Sequence, residues 1–192
     1  MIQYTLTPYK IFLASKSPRR QELLRTAGID FTLLQIEVDE SFPPELNSEL
    51  VPEYLAEKKA DAVPELKDDE LLITADTVVV LNHELYNKPL TNNEALQMLM
   101  QLSGKTHTVI TGVCIKSNKH KQIFSEQTEV TFYDISEAQA LFYIENFHPF
   151  DKAGSYGIQD WIGVTSIRYI NGCYFNVMGL PVSRLLRELS AF

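Results

Sequence analysis

The chain has only two cysteines, Cys114 and Cys173, and no Cys-x-x-Cys spacing. That usage predicts two buried thiols in a reducing compartment rather than a disulfide. Its histidines, His83, His107, His120 and His148, show no metal-ligand spacing, and no His-Glu-x-x-His occurs; they are expected to be structural or exposed. Also missing are Gly-x-Ser-x-Gly, a Walker loop and the dinucleotide Gly-x-Gly-x-x-Gly, which disfavours hydrolase triads and P-loop ATPases. No apolar stretch approaches the roughly 20 residues of a membrane span. Met1 to Lys10 lacks a long apolar h-region, so no signal peptide is expected. A soluble, cytoplasmic protein without a membrane partner follows. Basic residues are scarce, 17 against 25 acidic, for a formal net charge of -8. This is the opposite of a nucleic-acid binder's footprint, so no nucleic-acid partner is expected. A few cations gathered at one mouth of an acidic protein can still hold a small polyanion.

What is present is ample apolar material, 45% of 192 residues with 10% aromatic, without repeats or low-complexity tracts. That suits a single domain over 1–192, or one with a subdivided core. Strands are predicted near 10–15, 31–37 and 71–80, with helices near 18–27 and 49–63 between them. Asn82-His83-Glu84 reads as a turn giving a hairpin through Leu85 and Tyr86. Thr91 is positioned to cap a helix from Asn92 to Leu102, and Ser136 another through Phe147, ended by His148-Pro149. Long strands are expected near 106–117 and 121–133. Further strands are expected near 164–171 and 173–178, then a last helix from about Pro181 to Leu189. The fold class is α/β (mixed α+β): a twisted mixed β-sheet flanked by helices.

The most informative run is Ser15-Lys16-Ser17-Pro18-Arg19-Arg20-Gln21-Glu22-Leu23-Leu24. Ser17 suits the N-cap and Pro18 the first helical position. Unpaired N–H groups and the dipole make such a start an anion site. Two arginines in the first turn oppose the dipole, a cost that makes sense where a polyanion is expected. Phosphate is the candidate.

Asp76 is the second signal, a carboxylate inside Leu71-Leu72-Ile73-Thr74-Ala75-Asp76-Thr77-Val78-Val79-Val80. Such burial costs several kcal/mol unless the group is paired or binds a cation; the plain alternative is a structural hydrogen bond at the strand's end. Thr77 adds a polar group at the same depth, although neighbours on a regular strand face opposite sides. Glu37, Asp39 and Glu40 form an acidic cluster that alone reads as a solvated loop. With Asp76 it could supply the hard oxygen ligands that magnesium or manganese prefers. Lys88 precedes Pro89, which would fix the turn presenting it. Of Lys58 and Lys59, only one can face inward. Asp151-Lys152-Ala153-Gly154-Ser155-Tyr156-Gly157-Ile158-Gln159 suits a loop approaching a ligand closely, or an ordinary surface loop. The Gln159 amide can donate and accept at once, matching the N3–H and carbonyl edge of uracil or thymine.

In this order the chain resembles the Maf family of nucleoside triphosphate pyrophosphatases. The matching stretches are 14–24, 75–79, Lys88-Pro89, Ser103 to Gly112, 151–159 and Asn176-Val177-Met178-Gly179-Leu180-Pro181. The form Gly154-Ser155-Tyr156-Gly157-Ile158-Gln159 resembles the branch acting on dTTP and UTP, and Asp160 stands where family members often have glycine. The resemblance implies a Maf/ITPase-like fold and hydrolysis of nucleoside triphosphates to a monophosphate and pyrophosphate with a divalent metal cation, Mg or Mn. It further implies that Asp76 is the proton acceptor and touches the metal, and that Glu40 is a metal ligand. Arg19, Lys59 and Lys88 would hold the triphosphate, Ser15 and Ser17 would add hydroxyl donors, and Arg20, Thr77 and Gln159 would shape substrate choice. Removal of non-standard nucleotides and a homodimer fit the same resemblance. The alternative is a regulatory nucleotide-binding protein in cell division that acts without turnover.

Overall fold

The computed structural model describes residues 8–190 and Phe192, so residues 1–7 of the segment lacking a signal-like run lie outside it. Seven strands form one sheet: β1 (Lys10–Leu13), β2 (Thr32–Leu33), β3 (Glu70–Leu81), β4 (Glu84–Tyr86), β5 (Thr106–Lys116), β6 (Lys121–Phe132) and β7 (Ile167–Asn171). The helices are α1 (Pro18–Thr26), α2 (Val51–Asp61), α3 (Asn92–Leu102), α4 (Glu137–Phe147), α5 (Trp161–Ser166), α6 (Tyr174–Val177) and α7 (Val182–Leu189). The sheet order is β2-β1-β3-β5-β6-β7, with β4 paired to β3. β1 runs parallel to both β2 and β3, in register Ile11 to Leu71 and Leu13 to Ile73. β4 and β7 are antiparallel to β3 and β6, which makes the sheet mixed.

Local chemistry explains most boundaries. Asn82 and His83 adopt φ of 51° and 67°, the left-handed pair of a two-residue hairpin turn. The Thr91 hydroxyl accepts from the Glu94 amide and caps α3, whose Ala95, Leu99 and Leu102 are buried. Ser136 and Gln139 form a full capping box on α4, and left-handed His148 ends that helix before Pro149.

Three expectations are corrected. Residues 164–166 are helical, not extended: Val164 N–H donates to the Asp160 carbonyl at 3.1 Å, and Gly163 packs where a Cβ would strike the Ile158 carbonyl. Residues 174–177 are a helical turn rather than a strand, with the Asn176 amide donating to the Val109 carbonyl at 3.0 Å and the Thr128 hydroxyl at 2.9 Å. Those tertiary bonds outweigh the β-propensity of the local residues. Cys114 is buried, but Cys173 is only half-buried; both are free thiols.

The residues divide into two compact units. One comprises the chain up to Asp76, Thr111–Glu126 and Gly179 onward; the other comprises Thr77–Ile110 and Gln127–Met178. In the first, Ala14, Ala56, Ala60, Val63, Leu66, Leu72 and Cys114 form one buried cluster. In the second, a buried cluster includes the aromatic Tyr86, Phe132, Tyr143 and Tyr156 together with Leu99. Among the described residues no helix is long and apolar enough to cross a membrane.

Candidate active site

The first unit gathers most of the expected site residues. β1 ends at Leu13, the chain turns through Ser15, and α1 begins at Pro18. Ser17 occupies the N-cap position with extended backbone, yet its side chain makes no capping bond. Its own amide instead donates to the Ser15 hydroxyl at 3.3 Å. The Ser17 hydroxyl is thus uncommitted to the helix.

Asp76 lies in the middle of β3, not at its end, and is buried. Its charge is met by Lys59 of α2, whose ammonium lies 2.6 Å from Asp76 Oδ1. The same ammonium lies 2.8 Å from Glu40 Oε1. Lys59 therefore bridges two carboxylates that are 36 residues apart in sequence (76 minus 40). Asp76 and Lys59 keep only 10% and 12% of their side-chain surface, whereas Glu40 keeps 48% and opens the group to solvent. A pair this dry survives because each charge has a close, directional partner.

The other acidic residues go elsewhere. Asp39 accepts from the Ser41 amide at 3.0 Å and also from its hydroxyl, which hold its carboxyl below the ordinary value. Lys58 donates to the Ser41 carbonyl at 2.7 Å and lies 3.5 Å from Asp39. The two adjacent lysines thus divide the loop, Lys59 taking Glu40 and Lys58 steadying the turn behind it. Glu37 is exposed.

Arg20 is buried and held largely by main chain. Its Nε donates to the Gly179 carbonyl at 2.7 Å, and its Nη1 to the Ala75 carbonyl at 2.8 Å and the Ser15 hydroxyl at 3.2 Å. Burial lowers its pKa; Asp76 and Glu40 oppose that shift, while Arg19 adds to it. These charges therefore share one neighbourhood. With Lys59, three cations face two carboxylates, a balance that leaves room for an anion. Arg19 is half-buried on the first turn of α1.

Thr77, Lys88 and Gln159 belong to the second unit. Thr77 is half-buried, while Lys88 and Gln159 are exposed. Gln159 follows buried Ile158, in a loop whose shape has a definite cause. The Tyr143 hydroxyl donates to Asp160 Oδ2 at 2.7 Å and accepts from the Gly157 amide at 3.1 Å. Lys152 adds contacts of 2.7 Å to Asp151 and 3.6 Å to Asp160. Burial and the Asp160 charge push the Tyr143 phenol far up, so it remains a donor. Sequence reasoning missed this brace. The aspartate in a glycine-rich loop was its only visible sign.

Two carboxylates converging on one ammonium also test the fit of a metal. Glu40 and Asp76 already place oxygens around a single cation. Magnesium is commonly held by one or two carboxylates together with substrate phosphates and waters. Among the described residues no group of three or more His, Cys, Asp or Glu could hold a metal ion. The donor set thus suits a hard cation shared with a phosphate ligand rather than an all-protein cage.

Comparison with known proteins agrees with this chemistry. Residues 10–192 match the family model described as "Maf-like protein". A protein of Phocaeicola vulgatus called dTTP/UTP pyrophosphatase is 50% identical over 186 residues, covering 96% of each chain. One of Flavobacterium johnsoniae with the same name is 43% identical over 191 residues, covering 99% of this chain and 98% of its own. A third, from Porphyromonas gingivalis, is 46% identical over 191 residues.

Proposed function

Because this chain belongs to the Maf-like protein family, we propose that it is a nucleoside triphosphate pyrophosphatase acting on dTTP and UTP. It would hydrolyse the α–β phosphoanhydride to a nucleoside monophosphate and pyrophosphate. The observation that carries this reading is the Lys59 ammonium between Glu40 and Asp76 at 2.8 and 2.6 Å, beside the α1 start. The names of the relatives support the substrates.

In this reading the triphosphate enters where α1 begins. Arg19, Ser15 and Ser17 offer N–H and O–H donors to its oxygens, and the helix start adds backbone donors and a favourable dipole. Lys59 and Lys88 supply further positive charge. Asp76 takes a proton from the attacking water as its oxygen bonds to the α-phosphorus. The bond from that phosphorus to the bridging oxygen breaks, and pyrophosphate departs with the electron pair. Charge gathers on the phosphoryl and leaving oxygens, where fixed cations lower the barrier most. Glu40 and Asp76 would hold Mg or Mn, which when bound neutralises this charge. Thr77, Arg20 and Gln159 act on substrate choice. Arg20 does so by setting backbone positions, and Gln159 by its amide against the pyrimidine edge.

The same reading takes residues 1–192 as one functional domain, cytoplasmic and without a nucleic-acid partner. It extends to non-standard pyrimidine nucleotides as substrates. Exposed Phe142, Val164 and Phe175 support a homodimer. Pyrophosphate release from UTP, dTTP and GTP, with magnesium and with chelator, tests the activity. Asp76→Asn is expected to fold normally and to lose about 10²- to 10⁴-fold in turnover. Tight UTP binding without release by the unaltered chain would favour a regulatory binder instead, and wild-type turnover in Asp76→Asn would remove Asp76 from its role.

A further inference from the structure

β3 carries a second polar side chain two residues before Asp76. Thr74 is completely buried among Leu71, Leu72, Ile73 and Ala75. Its hydroxyl donates to the Ala56 carbonyl of α2 at 2.6 Å. A helix carbonyl at that position already receives the amide four residues on, so α2 has no need of Thr74 to satisfy its backbone. A valine would fill the same space. The hydroxyl is therefore unexplained by packing or by backbone pairing.

Its placement supplies the explanation. Residues two apart on a strand point to one side, which puts Thr74 beside Asp76. Residues three apart on a helix share a face, which puts Ala56 beside Lys59. The Thr74–Ala56 bond and the Asp76–Lys59 bond thus run side by side, each 2.6 Å, between one strand and one helix. Beside these two bonds the packing is apolar, with Ala14, Ala56, Ala60, Val63, Leu66 and Leu72 in one cluster, and the other polar ties of α2, to Ser125, Lys116 and Lys121, reach residues other than Lys59. Burial of such groups is non-directional and fixes neither the rotation of α2 nor its position along its axis. A buried hydrogen bond constrains both at the level of Lys59.

We propose that Thr74 is a positioning residue for the hydrolysis: it locks α2 against β3 so that the Lys59 ammonium meets Asp76. The proposal rests on the reading that Asp76 and Lys59 serve that reaction. Misplacement of a reacting group by about 1 Å can cost 10²-fold in rate. Losing the lock should therefore slow turnover far more than it weakens nucleotide binding, to which Arg19, Ser15 and Ser17 contribute from another element.

The test uses the full chain as Thr74→Val, Thr74→Ser and Thr74→Ala, with UTP as substrate. Thr74→Val is expected to lower kcat by about 10- to 100-fold, to leave KM within about twofold, and to shift Tm by only a few degrees. Thr74→Ser, which restores the hydroxyl, should return kcat to within about threefold of the unaltered chain. Added to Lys59→Met, Thr74→Val should cost nothing more, because the hydroxyl acts through Lys59. Thr74→Ala makes the same comparison without the second valine methyl, should that methyl crowd the core. Unaltered kcat in either folded variant overturns the proposal, as does failure of serine to rescue or a full further loss on top of Lys59→Met. If the unaltered chain releases no pyrophosphate, the functional reading fails instead. A crystal structure of Thr74→Val or Thr74→Ala then still decides the positioning: Lys59 Nζ within hydrogen-bond distance of Asp76 overturns it, and separation beyond that distance upholds it.

Discussion

Single residues here are tuned by what surrounds them, and buried polar groups show it most clearly. His107 is buried, with Nε2 at 2.8 Å from the Tyr156 hydroxyl, and stacks obliquely on Phe132. Among the described residues its Nδ1 has no hydrogen-bond partner. Burial pushes its pKa from 6.5 down to about 3. The folded chain thus keeps His107 neutral where the unfolded chain takes up a proton. Stability is unaffected above pH 6.5 and falls as the pH drops toward about 3. The slope approaches about 1.4 kcal/mol per pH unit well inside that window. Denaturant midpoints at pH 7.5, 6, 5 and 4 should show this fall, and His107→Gln should flatten it. An unchanged slope in that variant would assign the acid sensitivity elsewhere. At the same scale, Asp76 and Lys59 were legible only as separate oddities. A carboxylate in an apolar run announces a partner, but nothing in the run names which lysine. Arg20 illustrates the reverse. It read as a ligand contact beside Arg19, and folding turns it inward onto the Ala75 and Gly179 carbonyls.

At the scale of elements, α2 is the piece whose placement matters most, because it carries Lys59. Besides the Thr74 bond, Lys121 holds Glu57 and Asp61, Lys116 donates to the Ala60 carbonyl, and two further contacts seat its first turn. Ser125 of β6 donates to Glu53 at 2.6 Å, and Gly112 of β5 lies directly beneath Pro52. A Cβ on Gly112 would collide with the Pro52 carbonyl and the Glu53 amide, both rigid main chain. Gly112→Ala must therefore lift the first turn of α2. It is expected to cost about 1–3 kcal/mol of stability and to lower kcat alongside, readable from denaturant unfolding and pyrophosphate release on the same sample. A fully active, equally stable Gly112→Ala chain would show that α2 adjusts freely. Helix starts with local chemistry, such as Thr91 and Ser136, were readable in advance, since a cap and its partner lie within three residues. The segments 164–166 and 174–177 are helical where local propensity favours strands. Their conformations are imposed by Gly163 against Ile158 and by Asn176 reaching to Val109 and Thr128, and the second of these links is distant in sequence.

For the molecule as a whole, an acidic chain of net charge -8 concentrates Arg19, Arg20 and Lys59 around Glu40 and Asp76. Such a site should draw a small polyanion and lose grip as salt screens it. Chelation of divalent cations is expected to abolish most turnover while leaving Tm without nucleotide nearly unchanged, since Lys59 already bridges both carboxylates. A large fall in Tm on adding chelator alone would point to a structural metal instead. The α/β class, the order of strands and helices up to α4, and the anion-ready start of α1 follow from periodicity, caps and short motifs. Those signals act between residues a few positions apart, and they survive in a linear string. Pairing Asp76 with Lys59, turning Arg20 inward and bracing the Gln159 loop through Tyr143 and Asp160 depend on contacts across 17 to 159 residues. Such contacts exist only once the core has set the distances. That is why the chain's chemistry was readable before folding, and its geometry was not.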